Sequence, residues 1–120
     1  MIPNRTFDTD WIQCTPFSED ITLVDWNPLM YKIINQIMYI QGTVTIAKPD
    51  WNKPITQLPY EFQSEVDAIC RASGTNNKLA TCALAPNGVL SFLETSVDAT
   101  NVNTTPTVFI NMAVPIKNRK

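Results

Sequence analysis

The chain has 120 residues, the size of one domain, and a folded chain of that length buries roughly two-thirds of the surface its unfolded form exposes, so a core forms without metals or crosslinks. Hydrophobic residues make up 44% and charged residues 17%, with nine Lys+Arg against eleven Asp+Glu for a net charge of -2; this balance argues against disorder and against nucleic acid as a partner, which would need a basic face. Histidine is absent, which removes the commonest general base, the Ser-His and Cys-His nucleophile pairs and the commonest metal ligand, so the expectation is a protein that is not an enzyme, with no cofactor and no metal.

Residues 1–28 read as an N-terminal arm or docking segment, with a first strand starting at Trp11, and residues 29–120 as the folded domain. The start MIPNRTFDTDWIQ has no apolar signal core, and no run approaches the ~18 apolar residues of a membrane span. The chain is therefore expected to be made in a cytoplasm and not inserted in a membrane. Met30-Tyr31-Lys32-Ile33-Ile34 reads as a strand and Asn35-Gln36 as a tight turn. In the partner strand Met38, Ile40, Gly42, Val44 and Ile46 take one face by period two, while Gln41, Thr43 and Thr45 take the wet one. Residues 47–64, with Pro49, Pro54 and Pro59, read as irregular.

Val66, Ala68, Cys70 and Ala72 alternate with Glu65, Asp67 and Arg71, Ile69 being the exception, which predicts a strand with a solvated face. Leu79 to Leu84 and Val89 to Leu93 flank Pro86-Asn87-Gly88, where Pro presets φ and Asn-Gly accepts positive φ, the strongest hairpin signal in the chain. After an Asn/Thr stretch at 94–106, Val108, Ile110, Met112 and Val114 alternate with Thr107, Phe109, Asn111 and Ala113. The charged residues Lys117 to Lys120 read as a solvated tail. Six to eight short strands with such connections predict an all-β, antiparallel β-sandwich of jelly-roll type.

Three cysteines, Cys14, Cys70 and Cys82, form no CxxC pair and suggest neither a disulfide framework nor a zinc site. Cys70 and Cys82 could pair only if their strands are neighbours, and a cytoplasmic origin favours free thiols.

The order of three pieces resembles the C-terminal β-sandwich heads of bacteriophage tail-fibre, baseplate and receptor-binding proteins. They are a hairpin carrying Tyr31, Asn35, Tyr39 and Gly42, then Leu58-Pro59 after a loop, then the Pro86-Asn87-Gly88 turn. The resemblance spans roughly residues 10–116 and departs at Gln36, where the family often has Gly, and at Tyr60-Glu61-Phe62 after Leu-Pro. It implies a homotrimeric head, carried in the virion after assembly in the host cytoplasm, that docks on other virion proteins and binds a host cell-surface polysaccharide without chemistry. A structural virion protein, such as a capsid decoration or head-fibre component, is the alternative. Such heads usually follow a shaft or an anchoring region, so a start at Met1 favours either direct docking by residues 1–28 or a piece of a longer chain.

Saccharides are held by aromatic faces against sugar C–H surfaces and by Asp, Asn, Glu and Gln at hydroxyls. Trp51 fits best, in the polar, Pro-flanked loop 48–54 where no period asks for a core residue, with Asp50 and Asn52 beside it. Packing at an interface explains Trp51 as well. Trp11, Trp26, Tyr60 and Phe62 read as core or interface anchors. Glu61, Glu65 and Asp67 need nothing beyond a solvated face, and a glycosidase pair needs a set separation across a cleft.

Overall fold

The computed structural model describes residues 8–47, 53–73, 78–93 and 107–119, and within them the fold is all-β. Ten strands follow in chain order: β1 (Ile12–Gln13), β2 (Ile21–Leu23), β3 (Met30–Ile34), β4 (Ile37–Ile46), β5 (Lys53–Gln57), β6 (Tyr60–Phe62), β7 (Val66–Ser73), β8 (Lys78–Leu84), β9 (Val89–Leu93) and β10 (Thr107–Arg119). They hydrogen-bond in the order β1-β3-β4-β10-β7-β8-β9-β5, with β2 also against β4 and β6 against β10. Every one of these strand pairs is antiparallel.

The sheet curls until its two ends meet. Residues just after β1 reach β5: Pro16 bridges Thr56, the Phe17 amide donates to the Ile55 carbonyl at 2.9 Å, and the Thr56 hydroxyl donates to the Thr15 carbonyl at 2.6 Å. The concave side holds the core. Ile33, Met38, Ile40, Val44, Ile46, Leu84, Leu90 and Val108 are all at 0% exposure there. Burying each such side chain contributes about 1.5–3 kcal/mol, which is what makes the two-residue period decide which face turns inward.

Both anticipated hairpins are present, with different turn chemistry. Asn35 and Gln36 both take positive φ, at 52° and 63°, the mirror-image turn whose twist suits a two-residue hairpin. The Asn35 amide donates to Asp8 Oδ1, and the Gln36 carbonyl accepts from the Ile116 amide. At the second turn Gly88 has φ 95° and Asn87 does not have positive φ; Asn87 instead accepts the Val89 amide at its Oδ1. That turn is gripped by Leu58-Pro59, because the Leu58 amide donates to the Gly88 carbonyl and a Cβ on Gly88 would sit 2.5 Å from the Leu58 carbonyl oxygen.

Two expectations change, and the arm gains detail. Residues 47–64 are not irregular throughout, since they carry β5 and β6. The charged run from Lys117 to Arg119 belongs to β10, whose last residues pair with β6 after a register shift between Ile116 and Asn118. Residues 8–28 supply β1 and β2 to the sheet and bury Cys14 and Ile21 in its core, with the Cys14 amide donating to the Leu29 carbonyl at 2.9 Å.

Candidate functional site

β2 and β3 lie end to end along one edge of β4, pairing with Val44–Ile46 and Ile37–Gln41 respectively. Between them residues 24–29 leave the ladder opposite Gly42 and Thr43. The Thr43 amide donates to the Asn27 carbonyl at 2.8 Å, the Val24 amide donates to the Thr43 carbonyl at 3.2 Å, and Asn27 Nδ2 donates to Thr43 Oγ1 at 2.9 Å. Gly42 makes this approach feasible: its φ is +140°, and a Cβ there would meet Leu29 Cα and the Pro28 oxygen at 2.4 Å. The excursion thus depends on one glycine and satisfies its backbone through a threonine that is fully buried.

At the tip of the excursion stands Trp26, 72% exposed. Its ring centroid lies 6.3 Å from that of Phe109, a β10 residue paired with Thr43 of β4 on one side and Arg71 of β7 on the other. The Arg71 guanidinium sits 4.5 Å from the centroid of the Phe109 ring. Trp26, Phe109 and Arg71 therefore form a row across the convex side of the sheet. Next along comes a polar pair, Gln41 opposite Asn111, both exposed. One step further, Tyr39 faces Ala113 on β10 and Lys32 on β3, and Lys32 Nζ stands 5.6 Å from the Trp11 ring centroid. Strand rise puts each step at about 7 Å, so the two aromatic rows lie about 14 Å apart with side-chain amides between them.

Between Trp26's row and the amide row is a shallow depression of about 290 Å³ lined by Asn27, Gln41, Gly42, Phe109, Ile110 and Asn111. A face of this kind offers flat π surfaces, amides that both donate and accept, and two cations. Each cation contributes about 0.5–1 kcal/mol through its ring at an exposed site.

Trp51, Asp50 and Asn52 lie outside the described residues. The strand that follows their loop opens at Lys53, whose Nζ pairs with Asp20 Oδ2 at 2.6 Å. Tyr60 and Phe62 are core residues, 4% and 2% exposed, and Tyr60 meets Tyr31 edge to face. Trp11 and Trp26 are not in the core: both stand on the convex face, Trp11 at 41% exposure. Sequence reasoning passed over Phe109, Arg71, Gln41 and Asn111 as site residues, although the outward parity of Phe109 in its strand was the available signal. Glu61, Glu65 and Asp67 are exposed. Among the described residues no three His, Cys, Asp or Glu side chains gather as a metal site would require.

The cysteines belong to the core. Cys70 and Cys82 sit on neighbouring strands with Sγ atoms 3.1 Å apart, and all three are free thiols. The hydrogen bond between them lowers the pKa of Cys70 and, together with burial, raises that of Cys82. Burial alone pushes the Cys14 thiol up to about 12.

The architecture, a curled antiparallel sheet, has a counterpart in fold among solved bacteriophage receptor-binding proteins. One solved structure it resembles is the receptor binding protein of Listeria phage PSA, with a TM-score of 0.59 over 95% of this chain and 69% of that one, at 13% sequence identity. At that identity the likeness is one of fold. The sequence matches no protein-family model and no curated protein.

Proposed function

We propose that the chain is a host-attachment component of a bacteriophage virion that binds a bacterial cell-surface saccharide and leaves it chemically unchanged. The observation that carries this reading is the shared fold with a phage receptor binding protein over nearly the whole chain. The exposed tryptophans and amides of the convex face support it, since sugars present C–H faces and hydroxyls to such groups. In the same reading the protein works as a homotrimer joined to other virion proteins. Repetition of a weak site on three heads raises avidity without any new contact. A structural virion protein with no receptor is the alternative from a different class.

Retention of the fluorescently labelled protein on a panel of intact bacteria, with competition by solubilised wall polysaccharide, tests the reading. Saturable, competed retention on at least one strain is expected. A folded protein that is retained on none at micromolar concentration would point to the structural role instead.

A further inference from the structure

We infer that the ligand site is the convex face itself, and that its ligand is a saccharide chain bearing an anionic substituent; this rests on the host-attachment reading and locates its site. Three observations converge on that face. Trp26 is displayed, not merely left outside: residues 24–29 are held off the ladder by three hydrogen bonds to Thr43 over a glycine that no other residue replaces without a clash. A tryptophan at 72% exposure loses much of the hydrophobic gain it could have made in the core, and the surrounding backbone is built to keep it there.

The second observation is the alternation. An aromatic row, an amide row and a second aromatic row follow one another at the two-residue period of β4 and β10. Protein interfaces also use Trp, Tyr and Arg, but their centres are contiguous and apolar. Here Gln41 and Asn111 separate the rings, and the depression beside them is about 290 Å³, near the small end of small-ligand sites. One sugar ring stacked on Trp26 would reach these amides with its hydroxyls, and a chain continuing along the strands would come to Trp11.

Charge is the third. Arg71 and Lys32, at opposite ends of the face, lie on rings, and among the described residues neither forms an ion pair with a carboxylate. Among the described residues neither Asp25 nor Asp67 forms an ion pair with Arg71. A guanidinium 4.5 Å from the Phe109 ring centroid still carries N–H donors in a fork that matches a phosphate or carboxylate oxygen pair. An anion on the ligand would complete both cations.

The test uses the full chain on an array of bacterial glycans, neutral and anionic, with wild type, Trp26→Ala, Arg71→Gln and Trp11→Ala compared at 50 and 300 mM salt. Wild type should bind anionic glycans over neutral ones. Trp26→Ala should weaken binding tenfold or more, Trp11→Ala several-fold, and Arg71→Gln several-fold with loss of most of the salt dependence. Urea unfolding and sedimentation of each variant accompany the array. Wild type retained on cells with Trp26→Ala retained equally would overturn the site while leaving the host-attachment reading standing. Wild type binding neither cells nor glycans would overturn both. A Trp26→Ala protein that changes its oligomeric state would make the face a subunit contact and likewise overturn the proposal, as would a preference for neutral glycans.

Discussion

The two faces of β4 and β10 are built from alternate residues of the same strands and do opposite things. Met38, Ile40, Val44, Val108, Met112 and Val114 turn inward, none more than 7% exposed, whereas Tyr39, Gln41, Phe109 and Asn111 turn outward. One face spends its aromatic and aliphatic surface on folding, and the other keeps it in water. A side chain's contribution here follows from its parity along the strand more than from its type: Phe92 is core at 1% exposure, whereas Phe109 is half-buried on the outer face against Trp26 and Arg71. Substitutions on the two faces should therefore separate stability from binding.

The most severe break lies where the faces are joined. Gly42→Ala would place a Cβ against backbone of residues 28 and 29 at a φ of +140°, and a loss of more than about 4 kcal/mol is expected, read as a collapse of the urea midpoint or of soluble yield. Next comes alkaline pH. Because the folded thiol of Cys14 is raised to about 12 from 9.0, its contribution is intact below pH 9 and is lost as pH climbs towards 12, where the unfolded chain ionises first. The difference in unfolding free energy between wild type and Cys14→Ala should shrink by up to about 4 kcal/mol across that window. Ile40→Ala, on the inward face, should cost about 3 kcal/mol, while Asn111→Ala, outward on the pairing strand, should leave the midpoint within about 0.5 kcal/mol. Equal costs from this pair would erase the contrast between the faces. The smallest change of stability outside that control is a gain: Gln36→Gly should stabilise by about 0.5–1 kcal/mol in the same assay, since Gln36 holds φ 63° at a position glycine takes without strain.

Local rules made much of this legible in the sequence. The Asn35-Gln36 and Pro86-Asn87-Gly88 turns, and the alternation through 38–46 and 108–114, are properties of adjacent residues, and the strands formed where the pattern put them, although Thr43, assigned to the wet face, is fully buried beneath residues 24–29. Partnerships between distant segments were not legible. Lys117 to Arg119 carry the charge of a solvated tail, and only the arrival of Tyr60–Phe62 alongside makes them a strand. Leu58-Pro59 and Gly88, two motifs that read as separate, turned out to be a single contact. Trp26 was harder still. A tryptophan beside Asn-Pro reads as an anchor, and its display depends on the positive φ of Gly42, sixteen residues on in the sequence and hidden in a strand pattern. Phe109 could have been noticed, because the same alternation that assigned Val108 and Ile110 to the core put it outside.

The position of β10 has a consequence in time. This strand lies between β4 and β7 and also receives β6, so the pairing that unites the sheet, such as Thr107 with Thr45 and Pro115 with Ile37, closes long loops of chain. Loop closure of that kind costs entropy before any contact repays it. The β3–β4 hairpin and the β7–β8–β9 meander close through short connections and can assemble independently. Until β10 zips them together, β4 and β7 each present an open strand edge, which is where a folding chain of this protein is most exposed to pairing with its neighbours.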